Sequence, residues 1–191
     1  MGQKMTALTS PEISLQDFLA RLETKPASEY INGAIYQKPM PKGKHSRLQL
    51  KLCNQINATT EANQIAYAFP ELRCSFGDRS IVPDIAVFQW SRIPLEVDGE
   101  VPDNFLLCPD WTIEILSPEQ SPNRVTGNIL YCLEHGCQLG WLVDPGDRSI
   151  LIFQPNQQPR LFTQRDVLTV LPNISLSLTA TEVFSWLKMG S

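Results

Sequence analysis

The sequence predicts an α/β fold, a mixed central sheet flanked by helices, and three observations predict it. Short β-branched and aromatic runs alternate with stretches whose apolar residues recur every three to four positions, the order expected of strands interleaved with helices. Turn-forming residues stand between several of these runs, at Asn32-Gly33, Gly77-Asp78 and Asp144-Pro145-Gly146. The chain's 191 residues are 42% hydrophobic. That suits one domain burying roughly 70% of its unfolded surface without disulfides or a structural metal.

Residues 1–13 read as a loose leader and residues 14–191 as a single domain. Ser14 can cap a short helix, Leu15 to Leu22, with Leu15, Phe18, Leu19 and Leu22 as its apolar stripe. Tyr30 to Tyr36 predicts a strand that folds back at Asn32-Gly33, a pair suited to a tight hairpin. After the breakers Pro39, Pro41 and Gly43, a helix is expected from Lys44 to Asn57. It should bury Leu48, Leu52 and Ile56 and leave His45, Gln49 and the basic residues off that stripe. Strands are expected over Ile65 to Phe76, Val82 to Gln89 and Trp111 to Leu116, with Gly77-Asp78 turning the first into the second. The acidic stretch between Trp90 and Pro109 is long for a connection, which marks a functional or partly mobile excursion. Ser121-Pro122 opens a helix and Gly136 closes it, with Val125, Ile129, Cys132 and Leu133 buried. Leu139 to Val143 and Ser149 to Phe153 then form an antiparallel hairpin, and Thr179 with Glu182 has capping-box spacing before a last short helix.

Composition narrows the function classes. No apolar run approaches the ~18 residues of a membrane span, and the N-terminus lacks a signal-peptide core. The five cysteines have no CxxC spacing, and Cys132 with Cys137 lacks two further ligands for zinc. Free thiols point to a cytoplasmic location. The net charge of −4 is unevenly spread. Tyr30 to Thr60 holds no acid but has Lys38, Lys42, Lys44, Arg47 and Lys51, whereas Leu95 to Asn123 has seven acids and no Lys or Arg. The basic segment is a candidate phosphate-binding face; a solvated helix surface is the alternative that charge alone leaves open.

Neither of the two histidines sits in a motif with an activated Ser or Cys, and no P-loop or dinucleotide fingerprint occurs. Carboxylates remain. Asp84 follows Pro83 at the head of Ile85-Ala86-Val87-Phe88, and Glu114 interrupts Trp111-Thr112-Ile113-Glu114-Ile115-Leu116. Burying either charge costs several kcal/mol unless a cation or donors compensate it. A strand with one wet face would account for Glu114 alone. Two acids on consecutive core strands, if those strands are adjacent, could both reach one divalent metal, and hard oxygen ligands select Mg²⁺.

Val82-Pro83-Asp84-Ile85-Ala86-Val87, Pro109-Asp110 running through to Ser117-Pro118, Tyr131, and Gly140-Trp141-Leu142-Val143-Asp144-Pro145 together resemble the Uma-type restriction endonuclease family of the PD-(D/E)XK nuclease superfamily. Glu29-Tyr30-Ile31-Asn32-Gly33 and His45 also fit its pattern. The resemblance implies a restriction-endonuclease-like core that hydrolyses DNA phosphodiester bonds. It implies Asp84 and Glu114 as ligands of Mg²⁺ or Mn²⁺, with the Ile115 carbonyl a possible third oxygen. The lysine that normally completes such a site is missing from both expected places, which hold Leu116 and Gly127, so Gly127 is expected to limit catalysis. Arg124, one turn before Gly127 and on a face with Asn128 and Tyr131 away from the buried stripe, is the candidate substitute; an ordinary exposed residue is the alternative. Lys42, Lys44, His45, Arg47 and Lys51 are the candidate DNA contacts, Glu71 is a candidate third acid, and a homodimer would supply two sites for double-strand cleavage. Two rival readings stay open: a catalytically weakened nucleic-acid-binding protein that keeps the fold but lacks the lysine, and an interaction module using the acidic loop.

Overall fold

The computed structural model describes residues 13–118 and 120–190. The leader expected over residues 1–13 lies, but for Ile13, outside the described residues. After α1 (Leu15–Leu19), β1 (Ser28–Ile31) and β2 (Ala34–Gln37) form an antiparallel hairpin. Its two turn residues, Asn32 and Gly33, have φ of 50° and 79°, the left-handed pair that matches the twist of tightly joined strands. The long helix α2 (Gly43–Thr60) follows, then β3 (Ala66–Pro70), β4 (Cys74–Phe76), β5 (Arg79–Ile81) and β6 (Ile85–Gln89). Beyond a 3-10 turn at Trp90–Arg92 and the acidic loop come β7 (Trp111–Ile115), α3 (Pro122–Glu134), β8 (Leu139–Asp144), β9 (Ser149–Phe153), β10 (Arg160–Thr163) and α4 (Ala180–Ser185).

The strands form a six-stranded sheet, β10-β9-β8-β7-β6-β3, and a four-stranded sheet, β2-β1-β5-β4. β7 and β8 run parallel, joined by α3 as a crossover, while the other pairs are antiparallel, so the central sheet is mixed. Its strands alternate between two packed faces. Ile85 and Val87 of β6 and Trp111, Ile113 and Ile115 of β7 meet Leu48, Leu52 and Ile56 of α2. Ala86 and Phe88 face the small sheet, and α3 covers Leu142 and Phe153 with Val125 and Ile129. Gly140 of β8 is what lets α3 lie so close: a Cβ there would stand 2.3 Å from Cγ2 of Ile129.

Several sequence expectations change. The first helix ends at Leu19 rather than Leu22. Only Phe18 is buried, against the Tyr30 ring; among the described residues Leu19 and Leu22 stay exposed, Leu22 at 94%. The single strand expected from Ile65 to Phe76 is two strands in different sheets, broken at Glu71, whose φ is 48°. The strand expected from Val82 begins only at Ile85, since Pro83 has no N–H to give a ladder and the chain changes sheets between β5 and β6. Ser121 occupies the N-cap of α3 but makes no side-chain capping bond. β10 was not anticipated. The acidic loop is anchored by buried Phe105, whose carbonyl accepts from the Ser75 amide at 2.9 Å, and by Asp110, which accepts from Arg92 at 2.6 Å. Among the described residues no helix is long and apolar enough to cross a membrane.

Candidate active site

Asp84 lies where the chain passes from the small sheet to the large one. The last β6–β7 pair is Ile85 with Ile113, and beyond it the Asp84 side chain takes over from the ladder: Oδ2 accepts the Ile115 N–H at 2.7 Å. The Asp84 carbonyl accepts from Gln49 of α2 at 2.7 Å and from the Glu71 amide at 3.1 Å. Asp84 is thus held through its side chain on one side and its backbone carbonyl on two, and the residue is 1% exposed.

Glu114 is 2% exposed, and β7 is buried on both faces, which overturns the wet-face alternative for this acid. It points away from α2 and lines a cavity of about 290 Å³ together with Glu29, Lys38, Arg124 and Asn128.

Lys38 joins the two acids. It follows the last residue of β2, and its side chain turns inward. The ammonium donates to the Val82 carbonyl at 2.6 Å and to Asp84 Oδ1 at 2.7 Å, and it stands 3.6 Å from Glu114 Oε2. The two carboxylate oxygens are therefore no more than 6.3 Å apart, the sum of those two ion contacts. Glu29 stands behind them, accepting from the Val82 amide at 2.9 Å and from Asn128 Nδ2 at 3.1 Å.

The electrostatics separate the two acids. Burial works against charge on Lys38, but Glu114, Asp84 and Glu29 outweigh it and hold the ammonium's pKa above the ordinary lysine value. Burial also pushes Asp84 up, yet Lys38 and the His45 hydrogen bond prevail and bring it down to about 2. For Glu114 burial dominates; Lys38 offsets it only in part, the negative charges of Asp84 and Glu29 add to it, and the carboxyl lies well above the usual range. Asp84 and Lys38 thus form the tighter ion pair, at 2.7 Å, and Glu114 is the acid that burial holds toward its protonated form.

The other sequence candidates distribute around this point. His45 is buried rather than lying off the packed face: Nε2 is 3.4 Å from Asp84 Oδ1, and Nδ1 is 3.3 Å from the Ser117 hydroxyl. Ser117 is thus beside a histidine after all, a contact across 72 positions that no local motif announces. Glu71 lines a second cavity, about 300 Å³, with Lys38, His45 and Asp84. Lys42 and Lys44 line a third, about 550 Å³, with His45, Ser117 and Gln120; Gln120 borders all three cavities. Arg47 turns elsewhere, donating to the Trp186 and Lys188 carbonyls beyond α4, and Lys51 lies two turns further along α2 from Lys44.

Arg124 is exposed at the mouth of the Glu114 cavity, its guanidinium 4.4 Å from the Tyr36 ring centroid. The face it was expected to share is not a free one. Asn128 is buried on Glu29, and the Tyr131 hydroxyl donates to Asp78 Oδ1 at 2.8 Å, pinning the β4–β5 hairpin. Ile115 meets Asp84 through its N–H.

The sequence model of a family described as "Uma2: Putative restriction endonuclease" matches residues 15–181. The chain belongs to the Uma2 family. A crystal structure described as a "putative nuclease belonging to DUF820" from Anabaena variabilis ATCC 29413 is similar at 52% sequence identity and a TM-score of 0.89, over 92% of this chain and 99% of that one. No curated protein matches. The α/β fold of this Uma2 chain, with its mixed sheet between helices, is restriction-endonuclease-like.

Whether a metal fits can be judged from the donors. Among the described residues no three His, Cys, Asp or Glu side chains form a group able to hold a metal ion. Mg²⁺, however, commonly takes one or two carboxylates and completes its octahedron with water and substrate phosphate. Asp84 and Glu114 meet that requirement, and the Lys38 ammonium already stands between them as a cation.

Proposed function

We propose that this Uma2 protein is a metal-dependent endonuclease that hydrolyses DNA phosphodiester bonds, with Asp84 and Glu114 holding Mg²⁺ or Mn²⁺ and Lys38 as the lysine of the site. One observation carries this reading: the ammonium of Lys38, just beyond β2, stands between two buried carboxylates, Asp84 immediately before β6 and Glu114 on the adjacent β7. The rival reading of a weakened DNA-binding protein rested on the absence of a lysine at positions 116 and 127. Lys38 supplies one from a different element, which favours the active reading. The family description and the nuclease from Anabaena variabilis support the same class of activity.

A bound metal would offset charge on the phosphodiester and acidify water for attack. The chain's own residues do the rest. Asp84, ionised and held by Ile115, keeps a fixed oxygen toward the cation position. Lys38 offers positive charge and a hydrogen-bond donor to the phosphate oxygen that gains charge. Arg124 at the cavity mouth can hold a neighbouring phosphate but cannot act as a base at neutral pH. Lys42 and Lys44 lie along the approach, at the positive N-terminal end of α2, whose first turn holds no acid.

The test is nicking of supercoiled plasmid with Mg²⁺ or Mn²⁺. Wild-type protein should convert plasmid to open circles, chelator should stop it, and Asp84→Ala should be inactive. Nicking that persists in Asp84→Ala would refute the assignment.

A further inference from the structure

We infer that His45 is a positioning residue for Asp84, its ring seated between that carboxylate and the Ser117 hydroxyl so that it holds one carboxylate oxygen in a single orientation toward the cation position. This rests on the metal reading above and adds to it a chain of polar contacts, Ser117–His45–Asp84, that runs from the end of β7 to the other acid.

His45 is the third residue of α2 and is 6% exposed, as is Ser117. The imidazole reaches both partners, Asp84 Oδ1 at 3.4 Å and Ser117 Oγ at 3.3 Å. An ionised carboxylate only accepts, so the ring nitrogen facing it, Nε2, carries the hydrogen. In the neutral ring Nδ1 is then the acceptor, and the Ser117 hydroxyl must donate to it. Polarity therefore runs one way, from the Ser117 O–H to Nδ1 and from Nε2–H to Asp84. Ser117 is fixed in turn: it lies two residues beyond the end of β7, and its amide donates to Gln120 Oε1 at 3.0 Å. The strand that carries Glu114 thus reaches the histidine, and the histidine reaches the other acid. With Ile115 on Oδ2 and Lys38 also on Oδ1, the Asp84 carboxylate has little freedom to rotate. Partners of this kind around metal ligands set their orientation. The order Ser117–His45–Asp84 is also that of a nucleophilic triad, but Lys38 already neutralises the acid that would have to stabilise an imidazolium.

The test has two readouts. The chain has only two histidines, His45 and His135, so ¹⁵N NMR of the metal-free protein can resolve each ring. His45 should carry its proton on Nε2 in wild type and become a tautomer mixture in Asp84→Asn, whose amide can donate as well as accept. Titration with Mn²⁺ alone should then show binding weakened about 10- to 100-fold in His45→Ala. His45→Gln, which keeps an N–H donor, should recover most of it, with all variants compared at matched thermal stability. A proton on Nδ1 in wild type, or Mn²⁺ affinity unchanged in His45→Ala, would overturn the inference alone. Wild-type protein that binds no Mn²⁺ would overturn the metal reading and this inference with it.

Discussion

At the residue scale, Asp84, Glu114 and Lys38 are tolerable in the interior only together, because each opposite charge offsets part of the burial cost of the others. The two acids were legible in the sequence, since a carboxylate inside an apolar strand asks for compensation. Lys38 was not. It is 46 positions from Asp84, and only the path of the β1–β2 hairpin across the sheet junction brings it there. Its one local sign was membership of a basic segment, which pointed outward to phosphate rather than inward to carboxylates. The raised carboxyl of Glu114 makes a prediction about pH. The folded chain holds that proton more tightly than the unfolded chain, which releases it near the ordinary value of about 4.3. This group's contribution to stability therefore falls as pH rises from the ordinary carboxylate value toward its raised one. In chelator, Glu114→Gln should gain unfolding free energy relative to wild type between pH 5 and pH 8. A difference that stays constant across that range would show that Glu114 is ionised in the fold.

At the element scale, the helices and hairpins that have their own periodicity or turn chemistry were readable. The α2 stripe of Leu48, Leu52 and Ile56, the Asn32-Gly33 turn and the capping box at Thr179 and Glu182 all stand as expected. What alternation could not reveal is a strand that leaves one sheet for another, as at Glu71 and again at Pro83, where residues 81–88 stay buried on both sides of the break. Those two breaks are what place Asp84 beside α2, and they bury His45 and Gln49 against it. The close packing of α3 on β8 gives a test of this layer. Gly140→Ala puts a methyl against Ile129, a branched side chain already in a packed core, and should cost about 1–3 kcal/mol, measured by urea unfolding. A Cβ at Gly127, on the same helix, would meet nothing within 4 Å beyond its chain neighbours and the helix's own backbone. Gly127→Ala should therefore gain up to about 1 kcal/mol of stability. With Lys38 in the site, Gly127→Lys should nick no faster than Gly127→Ala. A faster lysine variant would restore Gly127 as the limiting position.

At the scale of the whole molecule, the chain is acidic except where α2 begins, and that end of α2 opens onto the cavities around the acids. DNA drawn to this face would meet Lys42 and Lys44 first. Neutralising both should weaken binding across all sequences and lower the slope of log affinity against log salt by about 2. An unchanged slope would make the two lysines a solvated surface. Arg47→Ala should instead loosen the C-terminal segment, since its guanidinium is spent on the carbonyls of Trp186 and Lys188; it should lower the melting temperature and leave the salt slope alone.

The central claim is that a lysine displaced in sequence has been restored in space. Single-turnover nicking of supercoiled plasmid by wild-type and Lys38→Met protein at saturating Mn²⁺, with folding of each verified by circular dichroism, tests it most directly. The account predicts a loss of about 10²–10³-fold in the nicking rate. A folded Lys38→Met protein that nicks at the wild-type rate would contradict it.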